Sequence, residues 1–187
     1  MSLSSLSGEK PVGKSVEDEA AMTAEKLLSC LKALGIGFTL YKHRAVFSVG
    51  EAKDVDEAIP GAHTRNLFVR DKKERMFLIT LMAHTKIDMK KLAELLGVGR
   101  LSFGSPERLV KYLGVTPGSV TPFSIVNDRG HQVTLVLDKE MMDNDIVNYH
   151  PLVNTMTVGL TPSDLLKFLE NCGCVPQIMD LQAASGE

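Results

Sequence analysis

Residues 65–82, RNLFVRDKKERMFLITLM, contain two apolar runs divided by a charged tetrad. Residues 67–69 and 76–82 have the aromatic and β-branched composition of strands, and Asp71-Lys72-Lys73-Glu74 supplies a polar reversal between them, so the segment predicts a β-hairpin. On its N-terminal side, Ala21, Ala24, Leu27, Leu28, Leu31 and Leu34 recur at helical spacing. The pattern stops at Gly35 and Gly37, as glycine suits a helix C-terminus. Residues 37–41 then read as a strand. Ser48-Val49-Gly50-Glu51 opens a short helix that ends before Pro60, with the reciprocal Ser/Glu spacing of a capping box.

On the C-terminal side, Asp88 caps a helix over 89–96 that Gly97 and Gly99 stop, and Ser105-Pro106-Glu107 starts another that runs to Leu113. Residues 123–126 and 132–137 are expected to form a second hairpin around Asn127-Asp128-Arg129-Gly130. A further strand is expected over 155–158, a last helix begins at Thr161-Pro162-Ser163-Asp164 and runs through Leu169, and 175–179 reads as a closing strand. Short strands mixed with helices, without regular βαβ alternation, predict an α+β domain: a mixed, largely antiparallel sheet flanked by helices.

With 187 residues, 44% hydrophobic and 24% charged, the chain suits one globular domain with its own core. Residues 1–16, rich in Ser, Gly and Pro and without apolar periodicity, are expected to form a flexible leader, leaving 17–187 as the domain. No apolar run approaches the roughly 18 residues that span a bilayer, and no basic and apolar signal opens the chain, so the expected home is the cytoplasm and no membrane is expected as partner. Three cysteines, of which only Cys172 and Cys174 are close in sequence, form no disulfide framework and no paired zinc spacing. A net charge of −2 weighs against a general nucleic-acid coat protein, although Arg70, Lys72, Lys73, Arg75, Lys90, Lys91 and Arg100 leave room for a local basic face.

Three polar islands stand among these apolar segments. In Gly118-Ser119-Val120-Thr121-Pro122, glycine admits backbone conformations closed to other residues and proline fixes its own φ, so neighbouring amides can converge on a ligand; the same residues also make ordinary connections. Arg65-Asn66 stands just before the apolar run of the first hairpin strand, offering a cation and an amide that both donates and accepts, or simply a solvated strand entrance. In His150-Pro151-x-x-Asn154, Pro151 restricts His150 to extended geometry and so fixes the direction of its ring; a lone histidine is otherwise a satisfied structural residue, the reading given to His43, His63, His84 and His131. Gly-x-Ser-x-Gly, Walker A and His-Glu-x-x-His motifs are absent. Asp138, Glu140, Asp143 and Asp145 lack calcium-loop spacing and read as a solvated turn.

Together the islands resemble the YbaK/prolyl-tRNA-synthetase-associated editing domains, and within them the free-standing alanyl-tRNA(Pro) deacylases of the ProXp-ala group, over about residues 24–181. The resemblance implies a YbaK-like fold and a trans-acting deacylase that hydrolyses alanine from proline tRNA without cofactor, metal or protein nucleophile. A hydroxyl of the tRNA's terminal ribose then helps activate water. It implies His150, Asn66 and the loop at Gly118 as the groups that hold the ester, with Arg65, Pro122 and Asn154 binding substrate. His43-Arg44-Ala45-Val46-Phe47 resembles the family's His-Pro-x-Val-Phe with the proline missing, which makes Val46 and Phe47 candidates for a small apolar wall. The family's usual lysine is Arg65 here, so a role needing a compact ammonium is in doubt. The implied partner is the acceptor end of mischarged tRNA(Pro), with prolyl-tRNA synthetase as a second candidate. Cysteinyl-tRNA(Pro) is the alternative substrate, and a non-catalytic tRNA- or synthetase-binding module the alternative function.

Overall fold

The computed structural model describes residues 20–45 and 49–186. The expected leader at 1–16, the capping Ser48, and Val46 and Phe47 lie outside the described residues. Helix α1, Ala24–Ala33, is capped by the Thr23 hydroxyl and buries Leu27 and Leu31; the chain turns away at Gly35, whose φ of 67° suits glycine. Strand β1, Phe38–Lys42, and helix α2, Val49–Ala58, follow. The first hairpin is β2, Ala62–Arg70, against β3, Met76–Met82, with Leu67 opposite Ile79 and Arg70 opposite Met76. Its turn is tightened by the buried Asp71 carboxylate, which accepts from the Lys73 and Arg75 amides and from the Arg75 guanidinium.

Helix α3, Met89–Leu95, starts where Asp88 accepts from the Lys90 and Lys91 amides. Strand β4, Ser102–Phe103, is followed by α4, Pro106–Leu113, capped by Ser105. The rest is β5, Val133–Asp138; the single turn α5, Lys139–Met142; β6, Val147–Tyr149; β7, Met156–Leu160; α6, Pro162–Asn171; and β8, Gln177–Met179. The strands form one mixed sheet in the order β1-β7-β6-β2-β3-β5-β8, with β4 added beside β2. Four pairings are antiparallel (β1·β7, β2·β3, β2·β4, β6·β7) and three parallel (β2·β6, β3·β5, β5·β8). One face carries a core of Leu27, Leu31, Leu113, Phe123, Leu165 and Phe168 from the helices; the other buries Leu92 and Leu181 against Val69, Ile79 and Val136. No helix among the described residues is long and apolar enough to cross a membrane.

Three local expectations are corrected. Residues 123–126 are not a strand: Pro122–Asn127 is a 3₁₀ helix, opened by the fixed φ of Pro122 and by the Thr121 hydroxyl accepting from the Phe123 amide. Its apolar side chains fill the core, where Phe123 meets Phe168 edge-on at 5.2 Å, so β5 pairs with β3 and β8 and not with a hairpin neighbour. Arg65 and Asn66 lie inside β2, because the strand begins at Ala62. Finally, the acidic cluster is not a solvated turn throughout: Asp138 ends β5 with its side chain fully buried, accepting from the Leu181 amide.

Candidate functional site

Strand β2 shares the edge opposite β3 between two short partners. At its start, Ala62 and His63 pair with Val147 and Asn148 of β6; at its end, Val69 and Arg70 pair with Phe103 and Ser102 of β4. Between them β2 and β6 diverge, and a small pocket opens in the gap. His63, Thr64 and Asn66 line one side and Asn148, Tyr149 and His150 the other, while His43, Thr157 and the α2 residues Val55 and Asp56 close its rim.

His150 enters this pocket because β6 ends there. Pro151 holds it extended, and Leu152, at φ 67°, carries the chain through a left-handed turn into β7. Across that turn, His150 Nδ1 lies 2.9 Å from the Met156 carbonyl, which can only accept, so Nδ1 carries the proton and Nε2 presents a lone pair. Burial lowers the imidazole from its usual value; the Met156 contact opposes this, His43 adds to it and Asp56 opposes it. His150 is therefore held neutral and pointed.

Asn66 is fixed at both ends of its amide. Its Nδ2 donates to the Val120 carbonyl at 2.8 Å, and its Oδ1 accepts from the Thr80 hydroxyl at 2.7 Å. The first bond joins β2 to the loop that contains Gly118, whose φ of 90° is open to glycine, and that ends at the buried Pro122. The loop thus reaches the pocket through Val120 and Asn66; Gly118 and Pro122 do not line the opening. Asn154 occupies the β6–β7 turn, half-buried and also outside the lining.

Arg65 follows the strand's alternation onto the opposite face from Asn66, the face where Leu67 and Val69 pack. One of its terminal nitrogens donates to the Thr85 carbonyl at 2.5 Å, and its buried Nε has no hydrogen-bond partner among the described residues. Burial lowers the guanidinium from its usual value. The neighbouring basic residues are partly engaged by carboxylates of the hairpin turn: Arg75 pairs with Asp71 at 2.6 Å, and Glu74 pairs with both Arg70 and Arg108.

Eight of the ten lining residues are not site candidates from the sequence, which reads His43 and His63 among them as structural. His43 Nδ1 faces the Arg44 carbonyl at 2.7 Å, which leaves Nε2 to accept from the Thr157 hydroxyl at 2.9 Å. His63 Nε2 faces the Ile59 carbonyl at 2.8 Å while its Nδ1 lies 3.1 Å from the Asp56 carboxylate. The near match to His-Pro-x-Val-Phe was a signal for His43, whose ring centroid lies 6.0 Å from that of His150. Nothing in the sequence marks the meeting of Asp56 with His63. The cysteines lie elsewhere: Cys30, Cys172 and Cys174 are free and partly buried, and burial pushes the Cys172 thiol up to about 12, with Cys30 and Cys174 adding to the rise. Among the described residues no group of three or more His, Cys, Asp or Glu side chains has a metal-holding arrangement.

The family description "Aminoacyl-tRNA editing domain" matches residues 43–168. The prolyl-tRNA editing protein ProX of Acetoanaerobium sticklandii is 36% identical over 150 residues, 80% of this chain and 92% of that protein. The prolyl-tRNA synthetase associated domain-containing protein 1 of Danio rerio is 35% identical over 157 residues, 83% of this chain and 85% of that one. A solved structure described as a candidate trans-editing enzyme for prolyl tRNA synthetase shares the fold with a TM-score of 0.64 at 22% identity, covering 84% of this chain and 95% of the other.

Proposed function

The chain belongs to the aminoacyl-tRNA editing domain family, and from that premise we propose that it is a trans-acting deacylase that hydrolyses the ester of alanine mischarged onto proline tRNA. The observation that carries the proposal is the convergence, in the β2–β6 gap, of a neutral, oriented His150 with an Asn66 that is anchored to the Gly118–Pro122 loop. The physical need is plain. A synthetase pocket shaped for proline cannot strongly reject a smaller amino acid, since a missing methylene is worth only about 1–3 kcal/mol, so a second site must remove the error.

In this reading the ester carbonyl is held beside Asn66 and His150, and the neighbouring hydroxyl of the terminal ribose directs water onto it. Water adds to the carbonyl carbon, the bond to the ribose oxygen breaks, and that oxygen takes a proton, leaving free alanine and uncharged tRNA. His150 Nε2, as a fixed acceptor, orients the amino acid or the water. The narrow gap, with Val55 and Tyr149 on its walls, suits a small side chain. Prolyl-tRNA synthetase is a partner that the names of the relatives suggest.

One pair favours a second mechanism at the same site. Thr157 Oγ1 is in hydrogen-bond reach of His43 Nε2, and His43 is oriented in turn by the Arg44 carbonyl, which is the arrangement of an activated hydroxyl nucleophile. Purified protein with alanyl-, cysteinyl- and prolyl-tRNA(Pro) tests the function. Hydrolysis of the alanyl ester in preference to the prolyl ester is expected, and binding without turnover would make the chain a tRNA-binding module. Alanyl-tRNA lacking the terminal ribose's free neighbouring hydroxyl separates the mechanisms: substrate assistance predicts loss of turnover, the Thr157 route its retention.

A further inference from the structure

Proton accounting in the β2–β6 gap leaves acceptors facing its interior. His150 spends its one proton on the Met156 carbonyl and presents Nε2 as a lone pair. His63 is constrained likewise: its Nε2 lies 2.8 Å from the Ile59 carbonyl, which can only accept, so the neutral ring has its proton there and turns the Nδ1 lone pair toward Asp56 Oδ1, 3.1 Å away. A lone pair and a carboxylate at that distance form no hydrogen bond. A proton or a cationic donor placed there would satisfy both. Asp56 is the one carboxylate among the described residues that lines the gap, its side chain is 32% exposed, and its negative field also reaches His150.

The aminoacyl ester has a group that matches this arrangement. Its α-ammonium bears three N–H donors and a full positive charge, two bonds from the carbonyl carbon that is to be attacked. Resting on the deacylase reading above, we propose that Asp56 and Nδ1 of His63 form the seat for the α-ammonium of the aminoacyl group. The ammonium donates to both, and so places the ester in the gap beside Asn66, with His150 Nε2 left to accept from the water. The seat makes the pocket selective for a free amine over a neutral group of the same size, independently of how the side chain is measured.

The test pairs two stable amide analogues of the tRNA terminus, 3′-alanylamino- and 3′-lactylamino-3′-deoxyadenosine, which differ in carrying an ammonium or a hydroxyl. Binding of each is measured by calorimetry to the wild-type protein and to Asp56→Asn. Wild type should prefer the alanyl analogue by about tenfold or more, as expected when a charge-assisted hydrogen bond is lost, and Asp56→Asn should bring the two affinities together by weakening the alanyl analogue more than the lactyl one. An equal preference in wild type and variant, or an equal loss on both analogues, overturns the seat. Turnover of alanyl-tRNA(Pro) by wild type is scored separately: its absence refutes the deacylase reading, while the analogue preference still decides the role of Asp56.

Discussion

Asn66 donates to the Val120 carbonyl at 2.8 Å, so the middle of β2 is tied to the loop between α4 and the 3₁₀ helix. Because the Thr80 hydroxyl occupies the other end of the same amide, Asn66 has a single satisfied orientation. Asn66→Asp removes the donor and sets a carboxylate against the Val120 carbonyl. Deacylation should fall by more than tenfold, with about 1–3 kcal/mol lost from stability in urea melts. Wild-type turnover in Asn66→Asp would detach the loop from the chemistry.

His150→Ala should slow alanine removal yet leave measurable turnover, since a positioning acceptor is lost and not an obligatory base, whose removal would cost about 10²- to 10⁴-fold. The lowered pKa has a signed consequence. Below the ordinary histidine value the unfolded chain binds the proton and the folded one does not, so His150's contribution to stability is present above its unfolded pKa and is lost as pH falls through its folded one. Wild type should therefore lose stability on acidification more steeply than His150→Gln, as read from denaturant midpoints across that range. Parallel curves would show that the ring is not held neutral.

Thr157→Val removes the hydroxyl from His43 Nε2 with almost no change of shape. Substrate assistance predicts turnover within a few-fold of wild type. A fall to background, together with an acyl adduct trapped on wild type by acid quench and mass spectrometry, would establish Thr157 as the nucleophile.

Arg65 faces away from Asn66 and holds the Thr85 carbonyl, so its first effect should be on folding. Arg65→Ala is expected to cost about 1–3 kcal/mol by leaving that buried carbonyl unpaired, whereas Arg65→Lys restores one donor and recovers most of the loss. Thermal melts read the difference. A loss of tRNA affinity in Arg65→Ala without loss of stability would instead place the guanidinium on the RNA.

Asp138 is fully buried, with Oδ2 lacking a well-formed hydrogen bond among the described residues, and burial pushes its carboxyl above the usual range against the lowering effect of nearby backbone amides. Here the sign is reversed: the folded state holds the proton longer, so the contribution is complete below the unfolded pKa and lost as pH rises through the folded one. Asp138→Asn, neutral at every pH, should flatten this part of the pH–stability curve and raise stability near neutrality. An unchanged slope would mean that Asp138 is solvated in the folded state.

The helices were legible because their ends are chemical. Asp88, Ser105 and Thr161 each accept from a first-turn amide as their positions in the sequence implied. The apolar residues 123–126 misled because a run that short has no period of its own, and Pro122 with the surrounding core decided in favour of 3₁₀. Strand β6, three residues long, was equally invisible as an element, although His150 at its end was marked by the proline after it. His150 and Asn66 could be picked out as motif residues, whereas Asp56 and His63 are brought together by the turn that joins α2 to β2, where the Ile59 carbonyl holds the His63 ring. The facing of Arg65 away from Asn66 depends on where β2 begins, and the polar residues before Leu67 hid that start.

The seam between β2 and β6 is two residue pairs wide, Ala62 with Val147 and His63 with Asn148. The β7–β6 and β2–β3 ribbons are thus two plates riveted at one corner, and the width of the slot between them is an angle before it is a set of side chains. Tyr149, whose ring meets Phe123 edge-on at 5.8 Å, is wedged beneath that corner. A change of bulk there would pry the slot wider or let it close without altering any residue that meets the ligand. Such a protein can acquire a new size preference through its interior, and two relatives with the same polar residues in the slot need not admit the same guests.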